Sequence, residues 1–266
     1  GDSELMKGRN GIVAGYNAQS VVSPVNPALG TGMLITAADV GNNASDSAQL
    51  IPMLEMSEGM TGVHIPVTLA DGGYHTAANL GEGERRGDTL VMTERYHPGV
   101  QGPYFKDRFV HDPAMDRYLC PEGQWLQYRG LRKANGRIEG PFRVYRAPRA
   151  VCRACPAFGA CTKDKHVGRA LWIGPHDRLI RKHRQWMATE QAQRLYDRRK
   201  GLIEPVFGIL KEQMAGRRFL LRGISNVSAE FVLLATAFNL RTLWRCRSSR
   251  SSPGPNPPTV AAPVTA

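Results

Sequence analysis

The stretch Val67-Thr-Leu-Ala-Asp71-Gly-Gly-Tyr74 carries an apolar run that ends on a carboxylate. The run predicts a buried strand over residues 64–71, and a carboxylate at the C-terminal end of such a strand faces the rim of a sheet, where ligands and metal ions bind. A second carboxylate, Glu204, lies in the basic segment 196–211, which suits a site where metal ions and phosphates meet. Together they indicate metal-dependent chemistry on a nucleic-acid backbone.

Each carboxylate also has a purely structural explanation. Asp71 precedes two glycines, and Asp is common in turns that follow a strand. Glu204 can interact favourably with the positive end of a helix dipole. Either explanation is reasonable alone, but both together are less probable because each residue stands where a catalytic carboxylate would be needed.

The positive charge is concentrated in the second half of the chain. Of the 266 residues, those from 1 to 162 carry 16 Lys and Arg against 16 Asp and Glu, whereas residues 163–250 carry 19 against 7. A basic half of this kind predicts a polyanionic partner, most simply DNA or RNA. The alternative is a solvated basic surface that serves solubility.

The order of predicted elements in the first third indicates an α/β fold. Alternation predicts strands at 11–22 and 33–37, antiparallel to each other, and a helix at 46–56 capped by Ser45 or Asp46. The strand at 64–71, a short helix at 75–80 and a strand at 89–93 follow. This order fits an RNase H-like mixed sheet flanked by helices if the first strand lies at or before residue 1.

The remainder of the chain divides by composition. Residues 95–165 are rich in Gly, Pro, Arg and aromatic residues and contain four of the five cysteines, so we predict a small insertion there. Helices are predicted at about 178–200, 203–214 and 226–246, with Gly201 and Pro205 marking a break. The predicted domains are therefore 1–94 and 166–246 as the two parts of the core, 95–165 as the insertion, and 247–266 as a disordered tail.

Two motifs resemble those of the DDE insertion-sequence transposases. Leu69-Ala-Asp71-Gly-Gly-Tyr74 is similar to their second-aspartate motif, and the segment from Tyr196 to Lys211 is similar to their third motif, with Glu204 as its glutamate. Asn17-Ala-Gln19, Asn43-Ala-Ser-Asp46 and the stretch from Arg217 to Gly223 also resemble this family. The resemblance covers roughly residues 2–245.

The resemblance implies a catalytic domain that cuts and rejoins DNA. Asp71 and Glu204 would be two of three catalytic carboxylates that hold divalent ions, Mg²⁺ or Mn²⁺. The third is predicted at Asp2, or upstream of it. Asp39 and Asp46 come too late in the chain, since Asp39 ends a strand and Asp46 is predicted to cap a helix.

The resemblance and the charge pattern also predict the partners. DNA, both element ends and target, would be held by basic and aromatic residues of the second half, and the protein would act as a homo-oligomer on DNA. The DNA-binding candidates are Tyr196, Arg199, Lys200, Lys211, Arg217, Arg218 and Arg222. Two other functions stay open: an inactive remnant that only binds DNA, and an RNase H-like nuclease without strand transfer.

Four cysteines predict a metal site that is separate from the carboxylates. The first of these, Cys120, stands alone in the sequence. The other three, Cys152, Cys155 and Cys161, lie close together. In a reducing compartment such thiolates suit a structural Zn²⁺, with an iron–sulfur cluster as the competitor and free buried thiols as the alternative.

Nothing in the sequence predicts a membrane protein. No signal peptide opens the chain, and its longest apolar stretch, Phe231 to Leu240, is too short to span a bilayer. We therefore expect a cytoplasmic, nucleoid-associated protein of a prokaryote.

Overall fold

The computed structural model describes residues 3–8, 11–25, 32–43, 45–94, 102–133, 141–164 and 166–251. It divides into two compact units. Unit 1 comprises residues 1–74, 85–92 and 194–266, and unit 2 comprises residues 75–84 and 93–193. The helices and strands are mixed along the chain, which confirms the predicted α/β class.

Unit 1 contains six strands in three pairs. They are β1 (Glu4–Gly8), β2 (Gly11–Gly15), β3 (Asn17–Pro24), β4 (Met33–Gly41), β5 (Val67–Leu69) and β6 (Thr89–Val91). The pairs β1–β2 and β3–β4 are antiparallel, whereas β5 and β6 are parallel. The predicted antiparallel pairing of the strands near 11–22 and 33–37 is thus confirmed in β3–β4. Within the described residues the three pairs do not hydrogen-bond to one another.

The helices of unit 1 supply most of its core. They are α1 (Leu50–Thr61), the greater part of α5 (Glu190–Gly208) and α6 (Ile224–Ser251), and a π-helical turn, Ile209–Gln213, follows α5. The central cluster joins β4 to α5, the π turn and α6; its buried members are Ile35, Val40, Val206, Leu210, Val227, Phe231, Ala235 and Phe238. The helix predicted at 226–246 is confirmed as α6, and its residues Val227, Phe231 and Phe238 are all buried.

The helix boundaries differ from the predicted ones near Pro205. We predicted a break between Gly201 and Pro205, but α5 runs through both residues, and the interruption lies at residues 188–189, after α4 (Asp177–Met187). Proline removes one helical hydrogen bond, that to the carbonyl of Gly201. Burial of Val206 in the core holds the next turn in place despite this loss. At the other end α6 continues to Ser251, and residues 252–266 of the predicted tail lie outside the described residues.

Unit 2 is built on a five-stranded antiparallel sheet that the sequence did not predict as a whole. Its order is β11-β10-β9-β8-β7. The bounds are β7 (Val110–Asp112), β8 (Arg117–Leu119), β9 (Trp125–Arg132), β10 (Phe142–Arg146) and β11 (Ala170–Ile173). The sheet and the turns around it enclose a second core; its buried residues are Phe109, Tyr118, Leu126, Tyr145, Ala147, Leu171 and Ile173.

The remaining α-helices among the described residues are α2 (Ala77–Arg86), α3 (Arg149–Arg153) and α4. The first residues of α2 belong to unit 2 and its last two to unit 1, and α3 lies in unit 2. Within unit 2, Arg184 of α4 binds Glu94 at 2.7 Å and also pairs with Asp107. Among the described residues no helix is both long and apolar enough to cross a membrane.

Candidate active site

Asp71 stands at the end of β5, as the sequence predicts. It stands two residues after Leu69, the last residue of the strand, and its side chain is exposed. Its Oδ1 accepts a hydrogen bond at 2.7 Å from the backbone N–H of Gly73 in the short 3₁₀ turn Gly72–Tyr74. The turn therefore fixes one carboxylate oxygen and leaves Oδ2 available to a ligand.

Asp46 lies beside Asp71, which the sequence did not predict. A side chain on Gly73 would begin at a point 2.9 Å from Oδ1 of Asp71 and 3.5 Å from Oδ2 of Asp46. The glycine thus leaves a small space that both carboxylates face. The predicted helix-capping role of Asp46 is wrong, because its side chain makes no capping hydrogen bond.

The carboxylate of Asp46 is held by amide side chains from the start of β3. Both Asn17 Nδ2 and Gln19 Nε2 donate to its Oδ1, Gln19 at 3.0 Å. These donors satisfy one oxygen, so Oδ2 can face the space beside Gly73. The segments Asn17-Ala-Gln19 and Asn43-Ala-Ser-Asp46 contain the residues of this network and resemble segments of the transposases. Their spacing in the sequence does not reveal which role they have.

Tyr74 ties this network to the 3₁₀ turn. Its hydroxyl donates to Oε1 of the buried Gln19 at 3.2 Å. Burial raises the pKa of Tyr74 well above its ordinary value, and the negative charges of Asp46 and Asp71 raise it further. Tyr74 is therefore a protonated donor at neutral pH and fixes the orientation of the Gln19 amide.

A cleft of about 620 Å³ extends from Asp71 between two strand edges. It is bordered by the successive residues 18–24 of β3 on one side and 67–71 on the other, while α1 and α5 contribute apolar side chains. Within the described residues β3 pairs only with β4, and β5 only with β6. The strand edges that face the cleft are consequently unpaired there.

On the border of the cleft, three buried polar atoms have no hydrogen-bond partner among the described residues. They are Oγ of Ser20, Oγ1 of Thr68 and Nε of Arg199. A buried donor or acceptor without a partner costs about 1–3 kcal/mol, so a ligand that bonded to these atoms would be stabilised there. The cleft therefore combines apolar walls with polar atoms that still need partners.

Glu204 is exposed on α5, one turn beyond Arg199. Its neighbours Leu202 and Ile203 border the cleft together with Asp71, but Glu204 itself does not. The structure thus brings Asp71 close to Asp46, and brings α5 to the same cleft, without placing the three carboxylates in one cluster. Asp2 lies outside the described residues.

The predicted DNA-binding residues are mostly exposed. The guanidinium of Arg199 lies 5.6 Å from the centre of the Tyr196 ring, and Nζ of Lys211 lies 5.6 Å from that of Phe207. Lys200, Arg218 and Arg222 are exposed as well. Arg217 is exposed but pairs with Glu212, so part of its charge is already neutralised.

The carboxylates of Asp46 and Asp71 are suitable ligands for a divalent ion, but the two of them do not form a complete metal site. Oxygen donors of the Asp46 and Asp71 type are those that Mg²⁺ prefers. In the part of the chain that the structure describes, no three His, Cys, Asp or Glu side chains are grouped closely enough to hold a metal ion. Among the described residues, the two aspartates alone are therefore too few to hold a metal ion.

The four predicted cysteines come together in unit 2. Cys120, Cys152, Cys155 and Cys161 all border one cavity of about 30 Å³, and all four are free thiols. Burial raises the pKa of the Cys161 thiol, and the guanidinium of Arg169 opposes that shift. The fifth cysteine, Cys246, is buried on α6 in unit 1.

Comparison with known proteins identifies one family. Residues 119–244, a little under half of the chain, match the family model described as the transposase DDE domain. The matched segment contains Glu204 and the four cysteines of unit 2, and it begins after Asp71. No curated protein and no solved structure shows significant similarity to the chain. The family match confirms the predicted resemblance to the DDE transposases.

Proposed function

We propose that this chain, whose residues 119–244 match the model of the transposase DDE domain, catalyses metal-dependent cleavage of DNA strands and their transfer during transposition of an insertion sequence. The observation that carries the proposal is the combination of this domain with the paired carboxylates of Asp46 and Asp71 beside Gly73. A family match gives the class of chemistry, and the carboxylates give a place for it.

Asp71 is the residue that we assign to direct metal binding. Its Oδ1 is fixed by the Gly73 N–H, and its exposure allows a phosphate to approach. Asp46 faces the same space and is oriented by Asn17 and Gln19. We assign it a second metal-binding or positioning role. Bound Mg²⁺ or Mn²⁺ would stabilise the charge that develops on the attacking and leaving oxygens.

Glu204 is the ligand that we propose from α5. This helix lines the cleft through Arg199 and Ile203, and Glu204 follows Ile203 without bordering the cleft itself. Its exposure leaves it free to turn toward an ion held by Asp71. Because its side chain is not buried, Glu204→Gln is expected to leave folding unchanged.

The third carboxylate of the proposed site has a place in the cleft. An extended segment between the unpaired edges of β3 and β5 would hydrogen-bond to both strands. Because Tyr74, just after β5, bonds to Gln19 at the start of β3, a segment parallel to β5 would end beside Asp71. A carboxylate at that end would complete the site; the sequence predicts the third carboxylate at Asp2 or upstream of it.

The basic residues provide the proposed contacts with the DNA backbone. Arg199 borders the cleft, and its buried Nε has no partner, which suits a phosphate oxygen. Lys200 and Lys211 would contact DNA next to Glu204, and Arg217, Arg218 and Arg222 would extend the track. These contacts would position the strand without reading its sequence.

An assay that separates cleavage from joining tests the proposed function. The chain is incubated with supercoiled plasmid and with 3′-hydroxyl oligonucleotides, in Mg²⁺ and in EDTA. A transposase nicks the plasmid and joins the oligonucleotide to it only in Mg²⁺, and Glu204→Gln loses both activities. Cleavage without joining would instead indicate a nuclease, and DNA binding that is unchanged by Mg²⁺, without any cleavage, would indicate a remnant.

A further inference from the structure

The four thiols of unit 2 come from two separate parts of the chain. Cys120 lies in the turn between β8 and β9, whereas Cys152 lies on α3, and Cys155 and Cys161 lie in the turns that follow it. All four nevertheless border the same small cavity. Four thiols around one cavity suit a shared metal ion, and no disulfide joins them.

The surroundings of the cavity suit thiolate ligands. Its walls include the buried side chains of Phe109, Leu126, Ala147 and Ala157, which exclude water. The guanidinium of Arg169 also borders it and bonds to the backbone oxygen of Cys161. Its Nε is buried and has no hydrogen-bond partner in the part of the chain that the structure describes. A cation with a free donor at this position would stabilise the negative charge of a tetrathiolate site.

The backbone approaches two of the sulfurs closely. The N–H of Gln124 donates to Sγ of Cys120 at 3.2 Å, an amide-to-sulfur contact that also stabilises thiolate charge. Gly168 has a positive φ of 83°, and a Cβ there would lie 2.9 Å from Sγ of Cys152. Only glycine allows the chain to pass so close to this sulfur.

We propose that Cys120, Cys152, Cys155 and Cys161 bind one structural Zn²⁺ ion, which fastens the β8–β9 turn to α3 and the turns after it. As placed, no three of these thiols stand at ligand spacing, so binding requires them to turn into the cavity that they share. Zinc is the ion of choice for four thiolates without redox function, at Zn–S distances of about 2.3 Å. This site is independent of the carboxylates of unit 1.

Elemental analysis of the purified full chain tests the proposal. We expect about one zinc per chain, retained through dialysis without chelator. Cys120→Ser, Cys155→Ser and Cys161→Ser should each lose the metal, while Cys246→Ser in unit 1 serves as the matched control and should keep it. Iron with acid-labile sulfide would overturn the zinc assignment, and absence of both metals would overturn the site.

A second measurement on the unaltered protein covers the case in which the serine variants fail to fold. Zinc is replaced by Co²⁺ and the absorption spectrum is recorded. Tetrahedral thiolate ligation predicts intense sulfur-to-cobalt absorption bands. It also predicts that four thiols are protected from alkylation and that a chelator removes this protection. Four thiols that react equally fast with and without chelator in the folded chain would contradict the proposal. Neither result depends on DNA cleavage.

Discussion

The carboxylate of Asp46 lies beside that of Asp71, with oxygens of both within 3.5 Å of the point where a side chain on Gly73 would begin. Asp46 reaches this place from the segment before α1, and Asp71 from the end of β5. Amide donors hold the first carboxylate, and a backbone N–H holds the second. The pair is thus assembled by tertiary contacts between elements that are distant in sequence.

Gly73→Ala tests the space between these carboxylates. The new Cβ would lie 2.9 Å from Oδ1 of Asp71, so we expect the carboxylate to move and cleavage of DNA to fall by about 10–100-fold, as for loss of a supporting contact around a metal site. Gly59→Ala on α1 is the control, since nothing lies within 4 Å of a Cβ there. Cleavage rates and circular dichroism are measured for both. Wild-type cleavage by Gly73→Ala would show that the space is not used.

Asn239→Ala tests the attachment of α6 to β4. The Asn239 amide accepts from the backbone N–H of Ile35 and donates to its carbonyl, both at 2.8 Å. Its removal leaves both backbone groups without these partners, so we expect a loss of about 1–3 kcal/mol in the free energy of unfolding. Asn226→Ala removes only an exposed bond to the carbonyl of Arg222, just before α6, and should cost far less. Urea denaturation measures both, and equal midpoints would contradict the expected role.

The sequence predicts the elements of unit 1 better than those of unit 2. Alternation of apolar residues indicates the strands near 11–22 and 33–37, which correspond to β2–β3 and β4, and the predicted helix at 226–246 corresponds to α6. Four of the five strands of unit 2 have only three to five residues. Their partners are set by pairing over long distances in sequence, for example Arg143 with Ile173. Local patterns carry little information about such pairing.

The sequence predicts only part of the candidate site, again because contacts between distant residues cannot be read from local patterns. Asp71 follows an apolar run, so its position at a strand end is a local property. The sequence instead suggests that Asp46 caps a helix. Its position beside Asp71 depends on the hydrogen bonds from Asn17 and Gln19. Likewise Pro205 suggests a helix boundary, but burial of Val206 outweighs that local preference. Tertiary contacts decide both cases.

Replacement of Lys211 and Arg218 together by Ala tests the proposed phosphate track. Each phosphate contact releases counterions on binding, so the salt dependence of DNA affinity should flatten by roughly one unit per lost contact, equally for all DNA sequences. Arg129→Ala with Lys133→Ala removes the same charge outside the basic half and is the control. Affinity is measured by fluorescence anisotropy at several salt concentrations. A slope unchanged from wild type would exclude these residues from the track.

Glu58 is expected to make unit 1 sensitive to acid. The N–H of Ile65 donates to its carboxylate and lowers its pKa, and Arg86 lowers it further through a 2.7 Å contact. A pKa that is lowered by folding stabilises the folded state above the ordinary carboxyl pKa, and this stabilisation is lost as the pH falls through the folded-state value. Glu58→Gln should therefore show a weaker decline in unfolding free energy between pH 7 and pH 3 than Glu55→Gln. Parallel declines would contradict this.

The measurement that most directly tests the central claim is Mg²⁺-dependent nicking of supercoiled DNA by Asp71→Asn and Asp46→Asn. Both variants keep the size of the side chain and remove its charge, so we expect cleavage to be abolished in Asp71→Asn and reduced by at least about 10-fold in Asp46→Asn. DNA affinity in EDTA should be unchanged, and the exposed Asp197→Asn on α5 should cleave like the wild type. Nicking by Asp71→Asn at the wild-type rate would contradict the proposed active site.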